Sequence, residues 1–307
     1  MADEPMDLLI VGTGAMACLF AARLAAAGVR ITMLGTWSEG IEALNQNGVR
    51  ITDEENVVQS YPVRVVESLD ECVPARYALV LVKSWQTDRA AGQLARCLAP
   101  DGLALTLQNG VGNREKLAQV LGPERVVWGA TTLGATMLAP GLVRSGGDGV
   151  VTLGIHAGTE PLVDLLGHAA FVVDTVADIS STQWGKLVIN ACINPLTAIL
   201  DVANGELLSI SHARKLMGLV SREAASVAVA KGIRLPYPDP VVASEAIARR
   251  TARNYSSMLQ DVRRGAPTEL DVITGAILKA GDQTGMPTPI NRTIYLLVKS
   301  LVSSKNS

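Results

Sequence analysis

Lys186, Asn190 and Asn194 recur every four residues in an otherwise apolar stretch that runs from Gln183 to Glu206. Side chains four apart stack on one face of a helix, so the spacing predicts a cation and two amides in a polar stripe along an apolar rod. Buried polar groups left unpaired cost about 1 to 3 kcal/mol each, so the stripe needs something polar to hold, and a substrate answers that need. An ammonium in such a place is a proton donor at neutral pH and a point charge for a developing oxyanion. The structural alternative pairs both asparagines with neighbouring helices and lets Lys186 reach water. Pro195 lies inside the same stretch, where it removes a helical hydrogen bond and frees the carbonyl of Ala191 beside the stripe.

A second set of residues with chemical potential lies at the other end of the chain. Leu8 to Val11 is a short apolar run of the kind expected for a strand buried on both faces, and Gly12-Thr13-Gly14-Ala15-Met16-Ala17 precedes a helical run to Ala27. In a dinucleotide-binding unit the first glycine permits the tight turn and the second lets the backbone approach a pyrophosphate. The helix start supplies free N–H groups and the positive end of a dipole. The next strand, Arg30 to Leu34, should end beside the adenosine ribose, where Gly35-Thr36-Trp37-Ser38 offers no immediate acid. That leans towards NADP, with Thr36 and Ser38 as donors, while the nearby Glu39 keeps NAD open.

Two further buried-strand runs deliver polar residues to the same predicted sheet edge. Tyr77 to Val82 ends in Lys83-Ser84-Trp85, and Leu103 to Leu107 ends in Gln108-Asn109-Gly110. Lys83 is placed for charge contact with cofactor or substrate. Hairpin strands extending the sheet are expected over 126–154, then a helix over 158–168 and a closing strand over 171–174. Beyond residue 180 helical periodicity takes over, with helices expected over 211–230, 240–253 and 290–302. Another is expected to open at Gly265-Ala266-Pro267-Thr268-Glu269, with the acid favouring the helix dipole. Two domains follow, residues 1–178 and 179–307.

Composition narrows the partners. The chain has 307 residues, 48% of them hydrophobic, enough for a core in each domain. Its 27 basic and 29 acidic residues give a net charge of -2 with no basic run, which points to a small-molecule partner and away from nucleic acid or an anionic membrane. Four scattered cysteines and three histidines form no ligand pattern, so no metal site and a reducing, cytoplasmic setting are expected. The acidic start does not read as a secretory signal, and the apolar run over 8–27 is broken by Gly12, Gly14 and Arg23, against a membrane span.

The chain resembles the ketopantoate reductases over nearly its whole length. The resemblance is carried by Gly12-Thr13-Gly14, Val82-Lys83-Ser84-Trp85-Gln86, Gln108-Asn109-Gly110-Val111-Gly112, the stretch from Trp184 to Ala198, Asn204-Gly205-Glu206, the stretch from Ser256 to Asp261, and Thr268-Glu269-Leu270-Asp271. It implies an α/β Rossmann-type domain followed by an all-α domain like the C-terminal one of 6-phosphogluconate dehydrogenase, with the active site between them. It also implies NADPH-dependent reduction of 2-dehydropantoate to pantoate, a step towards pantothenate and coenzyme A, in a monomer or homodimer. By the same resemblance Lys186 is the general acid and Glu269 helps to bind substrate and to position that acid. Asn190 and Asn194 hold the substrate hydroxyl, Ser257 contacts its carboxylate, and Asn109, Lys83 and Asn254 lie near substrate or cofactor. Gly12, Thr13, Gly14, Ala15, Met16, Thr36, Lys83 and Asn109 would hold NADP(H), with NAD(H) not excluded. Many members carry an arginine after the second strand for the 2′-phosphate, and here Thr36 stands at roughly that place. Competing readings are a related reductase of another 2-oxo acid or imine, and a regulator that senses NADP(H) without turnover.

Overall fold

The computed structural model describes residues 7–53 and 55–305. The chain divides into two compact units, Met1–Gln108 with Gly112–Ile179, and Asn109–Val111 with Ser180–Ser307.

The first unit is α/β. Its elements in order are β1 (Asp7–Val11), α1 (Ala15–Ala26), β2 (Arg30–Leu34), α2 (Ser38–Asn47), β3 (Val49–Thr52), β4 (Val58–Tyr61), β5 (Arg64–Val66), β6 (Ala75–Val80), α3 (Thr87–Cys97), β7 (Leu98–Thr106) and α4 (Asn113–Leu121). They continue as β8 (Val126–Thr131), β9 (Ala135–Ala139), β10 (Leu142–Ser145), β11 (Val150–Gly154), α5 (Thr159–His168) and β12 (Val172–Val176). Eight strands form one sheet in the order β12-β11-β8-β7-β6-β1-β2-β5. Every pairing in it is parallel except β11 with β8. β1 is central and buried on both faces from Leu8 to Val11, which is why its sequence is continuously apolar. The chain leaves β1 for β2 on one side and returns to β6 on the other, so the order reverses at β1 and opens a crevice at the carboxyl ends there.

The expected hairpin extension over 126–154 is half right. β8 and β11 join the main sheet, while β9 and β10 pair with each other and with β3 and β4 in a separate four-stranded sheet, β4-β3-β10-β9. The chain departs at a pair of glycines: Gly146 donates its N–H to the carbonyl of Gly134, and a Cβ on Gly146 would lie 3.1 Å from the Gly134 backbone. The missing side chain of Gly146 allows this close backbone approach where the two strands leave the sheet.

The second unit is helical: α6 (Ile179–Leu200), α7 (Glu206–Ser209), α8 (Ser211–Ala230), α9 (Pro240–Arg250), α10 (Ser257–Arg263), α11 (Leu270–Thr284) and α12 (Pro289–Lys305). α6 lies between two apolar clusters. Trp184, Leu187, Val188 and Ala191 face one, with Leu259, Ile273 and Ile277, and Cys192, Ile193 and Leu196 face the other, with Met217, Val220 and Ile294. α9 ends three residues before the expected Arg253. The carbonyls of Ala252 and Asn254 accept from the N–H groups of Gly205 and Asn204, which draws the chain out of helical geometry. α11 begins after the expected Pro267 and Glu269, with Glu269 as the residue that precedes its first turn. Among the described residues no helix is long and apolar enough to cross a membrane.

Candidate active site

In the first unit the turn after β1 has the geometry that its glycines suggested. Gly12 sits at φ +130°, donates its N–H to the carbonyl of Leu34, and would place a Cβ 3.2 Å from the backbone of Leu81 and Val82. Only glycine fits this crossing between strand ends. Thr13 is buried with its side chain against Gly35, so a Cβ there would lie 2.5 Å from the Thr13 methyl. Gly14 is exposed, and a Cβ on it would meet nothing within 4 Å. α1 then starts with no side-chain cap and no acid in its first turn, with Ala15 and Met16 partly exposed. Open space over Gly14 and uncapped N–H groups at the start of a twelve-residue helix fit a dinucleotide pyrophosphate.

One and two strands from β1, a buried network fixes the ends of β6 and β7. Gln108 donates from Nε2 to the Val82 carbonyl at 3.0 Å and to Thr87 Oγ1 at 2.9 Å, and accepts from Thr106 Oγ1 at 3.0 Å. Thr87 Oγ1 donates in turn to Asn113 Oδ1 at 2.9 Å. Lys83 follows Val82 directly and is partly buried, so its backbone position is set by this network. Gln108 was quoted in the sequence only as the neighbour of Asn109, and its place at the tip of a buried strand was the available signal. Thr36 is exposed beyond β2.

In the second unit the polar stripe of α6 meets two distant residues. Asn109 donates from Nδ2 to Glu269 Oε2 at 3.1 Å across 160 positions of sequence. Glu269 is buried, and its charge acts on the ammonium of Lys186. Burial pushes Lys186 down to about 8, and Glu269 works against that by favouring the cation. Gly110 makes the approach of this segment possible: its φ is +80°, and a Cβ there would lie 2.5 Å from the Val272 carbonyl on α11. The N–H of Val111 donates to the same carbonyl at 3.4 Å.

One turn along α6, Asn190 is partly buried, and after another Asn194 is buried. The main chain of Asn194 is held from the side, since its carbonyl accepts from Thr197 Oγ1 at 2.9 Å and from Ser256 Oγ at 3.5 Å. Ser256 also caps α10 by accepting from the Leu259 N–H at 3.1 Å, which places the partly buried Ser257 as the first residue of that helix. Asn254 is exposed, and its backbone bonds link it to Thr251 and Asn204.

Sequence reasoning missed the residues that fix the turn before Lys186. Tyr237 donates its hydroxyl to the Gly185 carbonyl at 2.8 Å, and Ser181 donates to the Arg234 carbonyl at 2.6 Å. A Cβ on Gly185 would come within 2.6 Å of Pro236, so glycine is what lets this rigid segment touch the helix. The signal was Pro236-Tyr237-Pro238, read from sequence only as a break.

The comparisons with known proteins fall on the same two units. Residues 8–158 match the model of the ketopantoate reductase PanE/ApbA family, and residues 178–302 match the model of its C-terminal part. The chain belongs to the ketopantoate reductase family. Its similarity to a 2-dehydropantoate 2-reductase from Archaeoglobus fulgidus is 34% identity over 300 residues, covering 96% of this chain and 97% of that one. A 2-dehydropantoate 2-reductase from Pyrococcus horikoshii is 31% identical over the same shares. Among solved structures, a PanE/ApbA family ketopantoate reductase from Ralstonia eutropha superposes with a TM-score of 0.91 at 29% identity, covering 98% of this chain and all of that one. D-mandelate dehydrogenase, in a ternary structure with NADH and anilino(oxo)acetate, gives a TM-score of 0.92 at 25% identity over 98% of this chain and all of that one.

Proposed function

We propose that this chain is a 2-dehydropantoate 2-reductase that converts the C2 ketone of 2-dehydropantoate to (R)-pantoate, in pantothenate and coenzyme A synthesis. NADP(H) is the family's cofactor, and NAD(H) also suits the glycine turn. Gly12, Thr13, Gly14, Ala15 and Met16 would hold the pyrophosphate, with Lys83 and Thr36 beside it, and the bound dinucleotide supplies the hydride. The observation that carries the reading is the grouping of partly buried Lys186 and Asn109 with buried Glu269, in a chain that matches enzymes of that name over 96% of its length.

Each of these residues has a task. The Lys186 ammonium donates its proton to the ketone oxygen as negative charge develops there, and its positive charge stabilises that oxygen before the transfer completes. With a pKa brought down to about 8, it is still protonated at neutral pH and gives the proton up more readily than an ordinary lysine. Glu269 keeps the ammonium charged and in place, and Asn109 fixes the Glu269 carboxylate. Asn190 and Asn194 offer amide groups to the substrate hydroxyl, and Ser257 offers a hydroxyl to its carboxylate. Asn254 is assigned to the substrate as well. The reading covers a monomer or a homodimer, and four free cysteines suit a reducing compartment such as the cytoplasm.

A second reading is favoured by the likeness to D-mandelate dehydrogenase: a reductase of an aromatic 2-oxo acid on the same scaffold. One assay separates the two. Loss of reduced-nicotinamide absorbance is followed with 2-dehydropantoate and with phenylglyoxylate, and the larger kcat/KM names the substrate class. No turnover with any 2-oxo acid, despite cofactor binding, would leave only a sensor.

A further inference from the structure

We infer that the adenosine end of the nucleotide site is built for a free 2′-hydroxyl, so that this chain takes NAD(H) in preference to NADP(H). The inference deepens the reading above and rests on the turn at residues 12–16 holding the dinucleotide.

The observation is a strand that sequence reasoning did not find. β5 lies beside β2 in parallel register, Leu34 opposite Val66, and the N–H of Gly35 donates to the Val66 carbonyl at 3.3 Å. The residues that follow the two strands therefore emerge side by side at the edge where the adenosine ribose is read. One segment is Gly35-Thr36-Trp37-Ser38-Glu39, and the other is Glu67-Ser68-Leu69-Asp70-Glu71. Together they carry four carboxylates and no lysine or arginine. All four acids are exposed, as are Thr36 and Ser38.

Cations that come near are already committed. Arg96 pairs with Asp70 at 2.8 Å, and Arg64 donates to the Glu71 carbonyl at 2.7 Å. Lys83 follows β6, two strands from β2, which at the usual strand spacing is about 10 Å away. The first turn of α2 supplies a helix dipole, but Glu39 already stands in that turn, held by the Trp37 indole at 2.9 Å. A 2′-phosphate at this edge would bring nearly two negative charges towards Glu39 and Glu67, with no guanidinium on either segment to receive them. A 2′-hydroxyl asks only for an acceptor or a small donor, and Glu39, Thr36 and Ser38 provide both.

Isothermal titration of the full chain with NADH and NADPH, in the absence of any 2-oxo acid, tests this directly. NADH is expected to bind at least about tenfold more tightly, and 5′-AMP more tightly than adenosine 2′,5′-bisphosphate. The gap should narrow as salt rises, because screening shortens from about 10 Å at 0.1 M to about 3 Å at 1 M. Thr36→Arg should move the NADPH-to-NADH affinity ratio towards NADPH by about tenfold or more, and Glu67→Gln by less. Equal or tighter binding of NADPH by the natural chain would overturn the inference and leave the reductase reading standing. Failure to bind either dinucleotide would overturn both.

Discussion

In the proposed function the start of α1 and the middle of α6 each receive a ligand, but by opposite means. At α1 the work falls to the backbone: one glycine at positive φ, a second with open space above it, and a helix start that no side chain caps. At α6 the preparation lies in side chains, a lysine made more acidic by burial and steadied by a carboxylate from the residue before α11. The contrast teaches that an anion can be held by main-chain geometry, whereas proton delivery needs a titratable group whose surroundings set its pKa. Mutations should therefore fail in different ways in the two places.

The largest effect is expected from Lys186→Ala, which removes the proposed proton donor. Stopped-flow and steady-state rates should show kcat lower by about 100-fold or more, with dinucleotide affinity nearly unchanged. Near-normal turnover would transfer the acid role elsewhere.

Next comes pH. The donor works in its protonated form, so kcat should be flat below about 8 and fall about tenfold per unit above it, as Lys186 loses its proton. Glu269 is the influence that raises the lysine pKa, so in Glu269→Gln the falling limb should move to lower pH. A limb that stays in place would separate Glu269 from the donor.

The two glycines sharpen the contrast at α1. Gly14→Ala adds a methyl where nothing lies within 4 Å and the backbone is extended, so the melting temperature should hold while NADH binding weakens by about tenfold. Gly12→Ala meets the backbone of Leu81 and Val82 at positive φ, so it should cost about 1 to 3 kcal/mol of stability, seen in urea unfolding.

A further effect concerns folding. The folded-state pKa of Lys186, about 8, lies below its ordinary 10.5, so the unfolded chain binds more protons between those values. The cost of burying the charge is thus fully present below about pH 8 and relieved as pH rises to 10.5. Relative to Lys186→Met, the natural chain should gain up to about 3 kcal/mol across that window.

What the sequence disclosed follows the same division. Backbone preparation was legible, because glycine spacing after an apolar strand has few other uses, and the turn at residues 12–16 is where it was expected. The lysine and its two asparagines were legible as a stripe, since helical period alone sets their alignment. Their partners were reached only through the family resemblance, not through spacing. Asn109 and Glu269 are 160 positions apart, and Glu269 read as an acid favouring a helix dipole when it lies before α11 with its carboxylate buried. β3, β4 and β5 went unread because strands of three or four residues give too few alternations to register a period. Missing β5 hid the acidic segment beside β2.

The peptide Asn109–Val111 counts among the residues of the helical unit although it is threaded between β7 and α4. A gene split at the obvious boundary near residue 179 would therefore produce a helical fragment lacking Asn109, with Glu269 deprived of its amide donor and the Val272 carbonyl of its two neighbours. A helical fragment that is to keep this contact must therefore carry the tripeptide from the first half with it.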